Sequence, residues 1–302
     1  VDLDLLPLPA WDLLPGLGYQ FPDSRRRRAM PIMASRGCVG RCTFCCSPLL
    51  YGSRVRLRSP ERVATEMREL HERYGAQEIH FWDDNLVLSL PWLRALAGEV
   101  RSLPFRLEIS VPGGVRADGL TPEAAALLKE MGVYSVCLGI ESGSQAILDR
   151  MGKRETLDQI RAAFAAARQA GLETWGFFLL GHPGEGPREL EETLSFALTL
   201  DPDVAKFHVL KPFPGTPVRE ELARAGCLSN VSYAAYGIPD PPVHRLPELS
   251  AADLLSWQKK AYRRFYFRPR KLLSHLLRIG TGYRLASNLR VGWGLVKRIG
   301  QP

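Results

Sequence analysis

Tyr134-Ser135-Val136-Cys137-Leu138-Gly139-Ile140-Glu141-Ser142-Gly143-Ser144, residues 134–144, is apolar from Val136 to Ile140 and turns polar at Glu141 and Ser142. A short apolar run without alternation suits a strand covered on both faces, as in a parallel sheet. The same unit recurs on either side. Strands are expected over 32–35, 78–82, 105–111, 134–140, 173–180 and 204–210. Helical patterns follow them, opened by Ser59-Pro60, Thr121-Pro122, Thr156 and Pro187, and stopped by Gly75, Gly132 and Gly171. Ser or Thr as N-cap with Pro at the next position satisfies orphan amides and presets the first helical φ.

Six strands, each with a helix after it, imply parallel pairing through right-handed crossovers. An open doubly wound sheet would gather its functional residues at one switch point. Here polar or glycine-rich stretches follow strand after strand, as at the mouth of a barrel. The expected fold is therefore α/β: a partial (β/α)6 barrel of TIM type with a helical C-terminal extension. Residues 1–30, rich in Pro, Leu and Asp, read as a strap or linker, 31–226 as the barrel, and 227–302 as a basic, mostly helical extension.

The chain has 302 residues, 45% of them apolar, enough for one large core and against disorder. It contains no apolar run of spanning length and no leader-like start, so the expected location is cytoplasmic. It begins at Val1 rather than Met, which leaves open that it is a fragment. The net charge of +8 is carried in runs at 25–28, 54–58 and 259–271. That favours anionic contacts, and a solvated surface is preferred to a nucleic-acid face.

Cys38, Cys42, Cys45 and Cys46 fall within nine residues, while Cys137 and Cys227 stand alone in apolar surroundings and read as packing. In a cytosolic chain such a cluster points to metal or redox chemistry. Closely spaced thiolates on one loop suit an iron–sulfur cluster, and three ligands leave one iron open for chemistry. The competing zinc site lacks a well-placed fourth ligand. Cys46 adjoins Cys45, and no histidine occurs before His71.

Cys38-x-x-x-Cys42-x-Phe44-Cys45 resembles the radical S-adenosylmethionine (SAM) signature, including the aromatic residue before the third cysteine. Further stretches resemble the subgroup typified by cobalamin-dependent radical enzymes: Phe81-Trp82-Asp83-Asp84-Asn85, Gly139-Ile140-Glu141-Ser142-Gly143-Ser144, Gly181-His182-Pro183-Gly184-Glu185 and Phe213-Pro214-Gly215-Thr216-Pro217. The resemblance implies a [4Fe-4S] cluster on Cys38, Cys42 and Cys45 whose open iron is chelated by SAM. It also implies reductive cleavage to a 5′-deoxyadenosyl radical, used for hydrogen abstraction or for cobalamin-linked methyl transfer. The cobalamin signature Asp-x-His-x-x-Gly does not occur here, so cobalamin enters only through a domain outside this sequence. A methylthiotransferase is the runner-up, and a zinc or nucleic-acid module the non-enzyme alternative.

The same resemblance assigns Asp83 and Asp84 to the methionine ammonium and counts Phe44 among the SAM contacts. Arg116 can pair with the methionine carboxylate or with a neighbouring acid. Glu141 and Ser142, closing an apolar strand, are expected to meet the ribose or methionine, because burial without a partner is costly. Gly181 lets backbone approach the adenine, and Phe213 packs beside it. His182 is expected to be a structural turn histidine. Implied partners are a small-molecule substrate and an acidic electron donor such as flavodoxin or ferredoxin, met by the basic C-terminal helix.

Overall fold

A computed structural model describes residues 2–14, 21, 24–52, 54–229, 232–237 and 240–277. Parts of the expected strap (15–20, 22–23) and of the expected extension (278–302) lie outside the described residues.

The main sheet holds six parallel strands: β1 (Ala29–Ile32), β4 (Glu78–Phe81), β5 (Glu108–Val115), β6 (Val133–Glu141), β7 (Glu173–Leu180) and β8 (Val204–Val209). A two-stranded antiparallel sheet, β2 (Ser35–Arg36) with β3 (Arg56–Leu57), flanks the cysteine loop. The helices are α1 (Ser47–Tyr51), α2 (Pro60–Tyr74), α3 (Leu90–Ser102), α4 (Pro122–Glu130), α5 (Gln145–Arg150), α6 (Leu157–Gln169), α7 (Pro187–Leu200), α8 (Pro217–Arg224), α9 (Ala251–Tyr266) and α10 (Pro269–Leu277).

The order of the main sheet is that of the chain, with no reversal. Right-handed crossovers then all step the same way, which places every connecting helix on one face and curls the sheet around the other. This is the partial barrel expected from the sequence, not a doubly wound sheet. The helices start as their caps dictate. Ser59 Oγ accepts from Arg62 N–H and Thr121 Oγ1 from Ala124 N–H, and Thr156 forms a capping box with Gln159. Gly75 stops α2 in the left-handed region at φ 66°.

Two strands differ from expectation by more than a residue at an end. The first was expected over 32–35 but ends at Ile32, where its register with Phe81 of β4 ends. Its continuation, Ser35–Arg36, pairs instead with β3. The third was expected over 105–111, but β5 starts only at Glu108 and continues through Pro112-Gly113-Gly114 to Val115. These glycines are not a turn: a Cβ on Gly113 would lie 2.4 Å from Asp83 O, so the bare backbone is needed for close strand approach.

The strap is not a free linker. Leu3 is buried, and the Asp4 carboxylate accepts from Ser59 N–H at 3.0 and 3.1 Å. Further along, Arg25 passes under the strands: its guanidinium stands 3.8 Å over the Tyr134 ring and 3.7 Å from Glu173. Both backbone amides of Arg25 and Arg26 donate to the buried Glu78.

The far edge of the sheet is closed by side chains. Gln258, Tyr262 and Tyr266 lie four residues apart on one face of α9, where successive helical turns align. Gln258 donates to Phe207 O at 2.7 Å, and Tyr262 Oη accepts from Phe207 N–H at 3.2 Å. Tyr266 Oη accepts from Ala205 N–H at 3.0 Å and donates to Ala205 O at 2.8 Å. An exposed row of strand amides and carbonyls is thereby satisfied without another strand. Between them Phe265, fully buried, meets the Phe207 ring edge-on at 6.1 Å. Phe265→Ala is expected to cost about 3 kcal/mol, the usual scale for a buried aromatic, measured by urea unfolding. An unchanged midpoint would show that α9 is not part of the core.

The basic charges of this segment are in part spoken for. Lys260 and Arg264 pair with Glu191 of α7, and Arg268 and Lys271 with Asp201.

Candidate active site

The cysteine loop, 37–46, sits where the ends of β4, β5, β6 and β7 converge, and it is held from all sides. Asp83, just beyond β4, accepts from Ser35 N–H and Ser35 Oγ at 2.5 Å each and from Ala34 N–H at 3.3 Å. Asp84 accepts from Gly37 N–H at 3.1 Å. Both carboxylates thus brace the backbone leading into Cys38. Burial lifts Asp83 to about 6, against the hydrogen bonds from Ser35 and Ala34, which lower it. In mid-loop, Thr43 N–H donates to Met151 O at 2.8 Å, and Thr43 O accepts from Val218 N–H at 3.1 Å. Thr43 Oγ1 lies 3.1 Å from His182 Nε2.

Within the loop, the sulfurs of Cys38 and Cys42 flank Gly40. A Cβ there would sit 3.4 Å from one Sγ, 3.7 Å from the other and 3.2 Å from Arg116 Nη1. Gly40 keeps that cradle open. Backbone amides approach the thiols: Gly40 N–H to Cys38 Sγ at 3.3 Å, and Ser47 N–H to Cys45 Sγ at 3.4 Å. Burial raises the Cys42 thiol and pushes Cys45 to about 11. As free thiols they would stay protonated, so a bound metal has to displace the protons. Cys46 is the residue before α1 and lies half-buried beside Cys45.

Arg116 follows β5 and Glu141 ends β6. Arg116 forms a bidentate pair with Asp118, Nε to Oδ1 at 3.1 Å and Nη2 to Oδ2 at 2.8 Å, and reaches Glu155 at 3.3 Å. Its Nη1 points toward the cysteine loop. Glu141 takes φ 68°, an unusual conformation for a residue with a side chain, where the β6–β7 register shifts. Consecutive residues of a strand face opposite ways. Glu141 lies 3.8 Å from Lys153, near Cys42, whereas Ser142 is buried against α7 with its Oγ 3.0 Å from Thr193 Oγ1. Burial works against the Lys153 charge, but Glu141 and Glu155, the latter at 3.2 Å, raise its affinity for the proton.

Lys153 and Glu155 were not among the sequence-derived candidates. They follow a short helix, away from any strand end, and a Lys-Arg-Glu stretch reads as solvated surface. The available signal was their sequence proximity to Glu141.

Gly181 takes φ 92°, with His244 Nε2 on its carbonyl at 2.8 Å. Its amide and that of His182 are held by the buried Glu185, at 2.6 and 2.9 Å. His182 bonds Pro183 O through Nδ1 at 2.9 Å, and burial depresses it to about 4, so it is neutral. Phe44 is partly buried against the core. Phe213, 39% exposed, stands 5.8 Å from the Tyr236 ring across the mouth. Cys38, Cys42, Cys45, Arg116 and Glu141 are therefore gathered with Lys153. Asp83 and Asp84 support the loop from behind, Ser142 faces α7, Gly181 precedes His182, which reaches Thr43, and Phe213 stands beside Tyr236.

Burial raises Glu185 to about 8, partly opposed by its two backbone bonds. A carboxyl whose folded value exceeds its unfolded one favours the folded state below the unfolded value. That contribution is lost as pH rises through the folded one. Glu185→Gln keeps an acceptor for both amides, so its thermal midpoint is expected to fall less than wild type between pH 5 and pH 9 (about the window set by the two values). Parallel pH profiles for the two proteins would contradict this.

The residues fit a cluster. Three thiols share one braced loop, amides face two of the sulfurs, and Arg116 and Lys153 offset thiolate charge beside Cys42. Among the described residues no three His, Cys, Asp or Glu side chains come together around a single ion. A cubane makes no such demand, since each of its thiolates takes a different iron.

A parallel partial barrel with a three-cysteine loop at its C-terminal mouth defines a class of iron–sulfur enzymes. A family profile for the radical SAM superfamily matches residues 32–197, more than half of the chain, and the chain belongs to that superfamily. Its members use a [4Fe-4S] cluster and SAM. An uncharacterized methyltransferase, PH0819 of Pyrococcus horikoshii, is 35% identical over 91% of this chain and 59% of its own length. Cytidylyl-2-hydroxyethylphosphonate methyltransferase of Streptomyces wedmorensis is 30% identical over 74% of this chain and 44% of its own. Among solved structures, the radical SAM methyltransferase TsrM of Kitasatospora setae, with cobalamin and a [4Fe-4S] cluster bound, superposes with a TM-score of 0.59. It shares 26% identity over 65% of this chain and 36% of its own. The chain spans about half the length of the curated relatives it matches. Among the described residues no helix is long and apolar enough to cross a membrane.

Proposed function

We propose that this chain is the radical-generating part of an enzyme that reductively cleaves SAM to act on a small molecule, with Cys38, Cys42 and Cys45 as the cluster ligands. The observation that carries this is the braced loop that brings the three thiols together beside Arg116 and Lys153. When bound, the cluster supplies one electron to the sulfonium of SAM, yielding methionine and a 5′-deoxyadenosyl radical. The protein's own work is to bind, orient and exclude water. In this reading Arg116 Nη1 and the Lys153 ammonium, both beside the cysteine loop, would receive the methionine carboxylate, and the Glu141 carboxylate an ammonium or a ribose hydroxyl. Asp83 and Asp84 act indirectly, by fixing the backbone ahead of Cys38. The backbone after β7, bared by Gly181, and the Phe213 ring are read as the surface that would receive the adenine.

The names of the relatives favour methyl transfer, and the cobalamin bound in TsrM suggests that cobalamin accompanies this domain in the whole protein. A methylthiotransferase is less well supported: one relative of Methanocaldococcus jannaschii carries that name, at 28% identity over 61% of this chain. The reductant is read as an acidic flavodoxin or ferredoxin, met by the basic face of α9; Arg264 of that helix pairs with Glu191, and its neighbour Arg263 is exposed.

Anaerobically reconstituted protein, reduced with dithionite in the presence of SAM, is expected to form 5′-deoxyadenosine and methionine in equal amounts. Protein with a full cluster that leaves SAM intact would refute the reading.

A further inference from the structure

The inner face of the sheet is not uniformly filled. Along β7 and β8 the residues alternate. Phe178, Leu180, Ala205, Phe207 and Val209 are buried toward the helices, where Phe178 and Phe207 stack at 5.0 Å. The intervening residues, Trp175, Phe177, Leu179, Lys206 and His208, face the concave side and are only half-buried. In a barrel whose interior is a packed core they would be covered. Pairing sets them side by side, Phe177 opposite Lys206 and Leu179 opposite His208. The wall leads up to the active-site mouth, since Leu179 lies three residues before His182, which touches Thr43 of the cysteine loop.

Lys206 is the unusual member. Lys153, Lys211, Lys260 and Lys271 all end on carboxylates or carbonyls. The Lys206 ammonium instead stands 4.6 Å over the Trp175 ring and 5.6 Å from that of Phe177, with no carboxylate or carbonyl partner among the described residues. Cation–π contact occupies one side of an ammonium and leaves its other N–H donors unused. The acids of the same face have other partners: Glu173 accepts from Trp175 Nε1 at 3.0 Å and lies 3.7 Å from Arg25, and Glu141 is beside Lys153. A fixed positive charge over flat apolar surface, open to the interior and short of an anion, is a recognition element of the kind that orients a ligand.

We infer that this wall is a substrate subsite: Lys206 receives an anionic group, carboxylate or phosphate, while Trp175, Phe177 and Leu179 hold the flat or apolar skeleton next to it. The inference rests on the reading of the chain as an enzyme acting on a small molecule, and it names the chemical class of that molecule.

Equilibrium dialysis of the cluster-loaded full chain against 2-naphthoate, 2-naphthyl phosphate and the neutral 2-naphthylmethanol tests it. At least one anion should bind about ten-fold more tightly than the alcohol, and the tighter anion identifies carboxylate or phosphate. Lys206→Met should lower that anion to the level of the alcohol without changing alcohol binding, and Lys206→Arg should keep the preference. Equal binding of all three probes, no saturable binding, or an unaltered preference in a folded Lys206→Met protein would overturn the subsite. If Lys206→Met fails to fold, loss of the preference in Lys206→Arg overturns it. SAM cleavage measured on the same preparation separates the two readings. Cleavage without anion preference removes the subsite alone; anion preference without cleavage upholds the anion site and removes the radical reading.

Discussion

Glu78→Leu is expected to destabilise the fold by about 4 kcal/mol, the scale for removing one partner from a buried charged network. Glu78 is fully buried at the start of β4. It accepts from Arg25 N–H at 2.7 Å, Arg26 N–H at 2.6 Å, His80 Nε2 at 2.6 Å and Tyr134 Oη at 2.6 Å. Burial and the adjoining carboxylate hold the Tyr134 phenol far above its usual range, so it stays a donor at any working pH. Leucine would fill the volume but leave these donors buried without an acceptor. Glu78→Gln retains one acceptor oxygen and should lose about half as much. Urea unfolding monitored by circular dichroism reads both values. A Leu variant within about 1 kcal/mol of wild type would mean that the strap is not anchored there.

That anchor also shows where the sequence stopped being informative. The alternation of strands and helices was legible because caps, glycine stops and apolar runs are local signals, and the sequential sheet order follows from them through crossover handedness. Residues 24–26 carry no local pattern. Their place under the barrel depends on Glu78, Glu108 and Glu173, distant in sequence, whose acidity within strands becomes meaningful only once the sheet assembles. Likewise Gln258, Tyr262 and Tyr266 read as one face of an amphipathic helix. That they complete the hydrogen bonding of an edge strand is a tertiary fact.

At the site the cysteines were legible because their spacing is itself the chemistry. The charged residues were less so. Asp83 and Asp84 sit where expected, at the end of β4, yet their carboxylates point back to residues 34–37. Glu141 and Ser142 are adjacent, and only the assembled barrel shows that the first faces Lys153 and the second Thr193 of α7. Lys153 reaches Glu141 and the neighbourhood of Cys42 from beyond a short helix, a route that no periodicity announces.

Cys42→Ala is expected to abolish the cluster and with it SAM cleavage. Wild-type protein reconstituted without oxygen should hold about four irons and four sulfides per chain, and the Ala variants at Cys38, Cys42 or Cys45 should fall to background. Cys46→Ala should retain the full complement, because that residue lies at the start of α1, outside the three-thiol set. Cys42 is the most telling of the three, since its sulfur flanks Gly40 with Cys38 and lies within the influence of the Arg116 and Lys153 charges. A full cluster in Cys42→Ala, or its loss in Cys46→Ala, would require a different ligand set.

The claim on which the rest depends is that three cysteines leave one iron open and that SAM takes it. The most direct measurement is electron paramagnetic resonance of the reduced, cluster-loaded full chain before and after addition of SAM. Direct ligation predicts a reduced-cluster signal whose g values shift when SAM is added and that is absent from Cys42→Ala. A wild-type signal that SAM leaves unchanged would contradict the account.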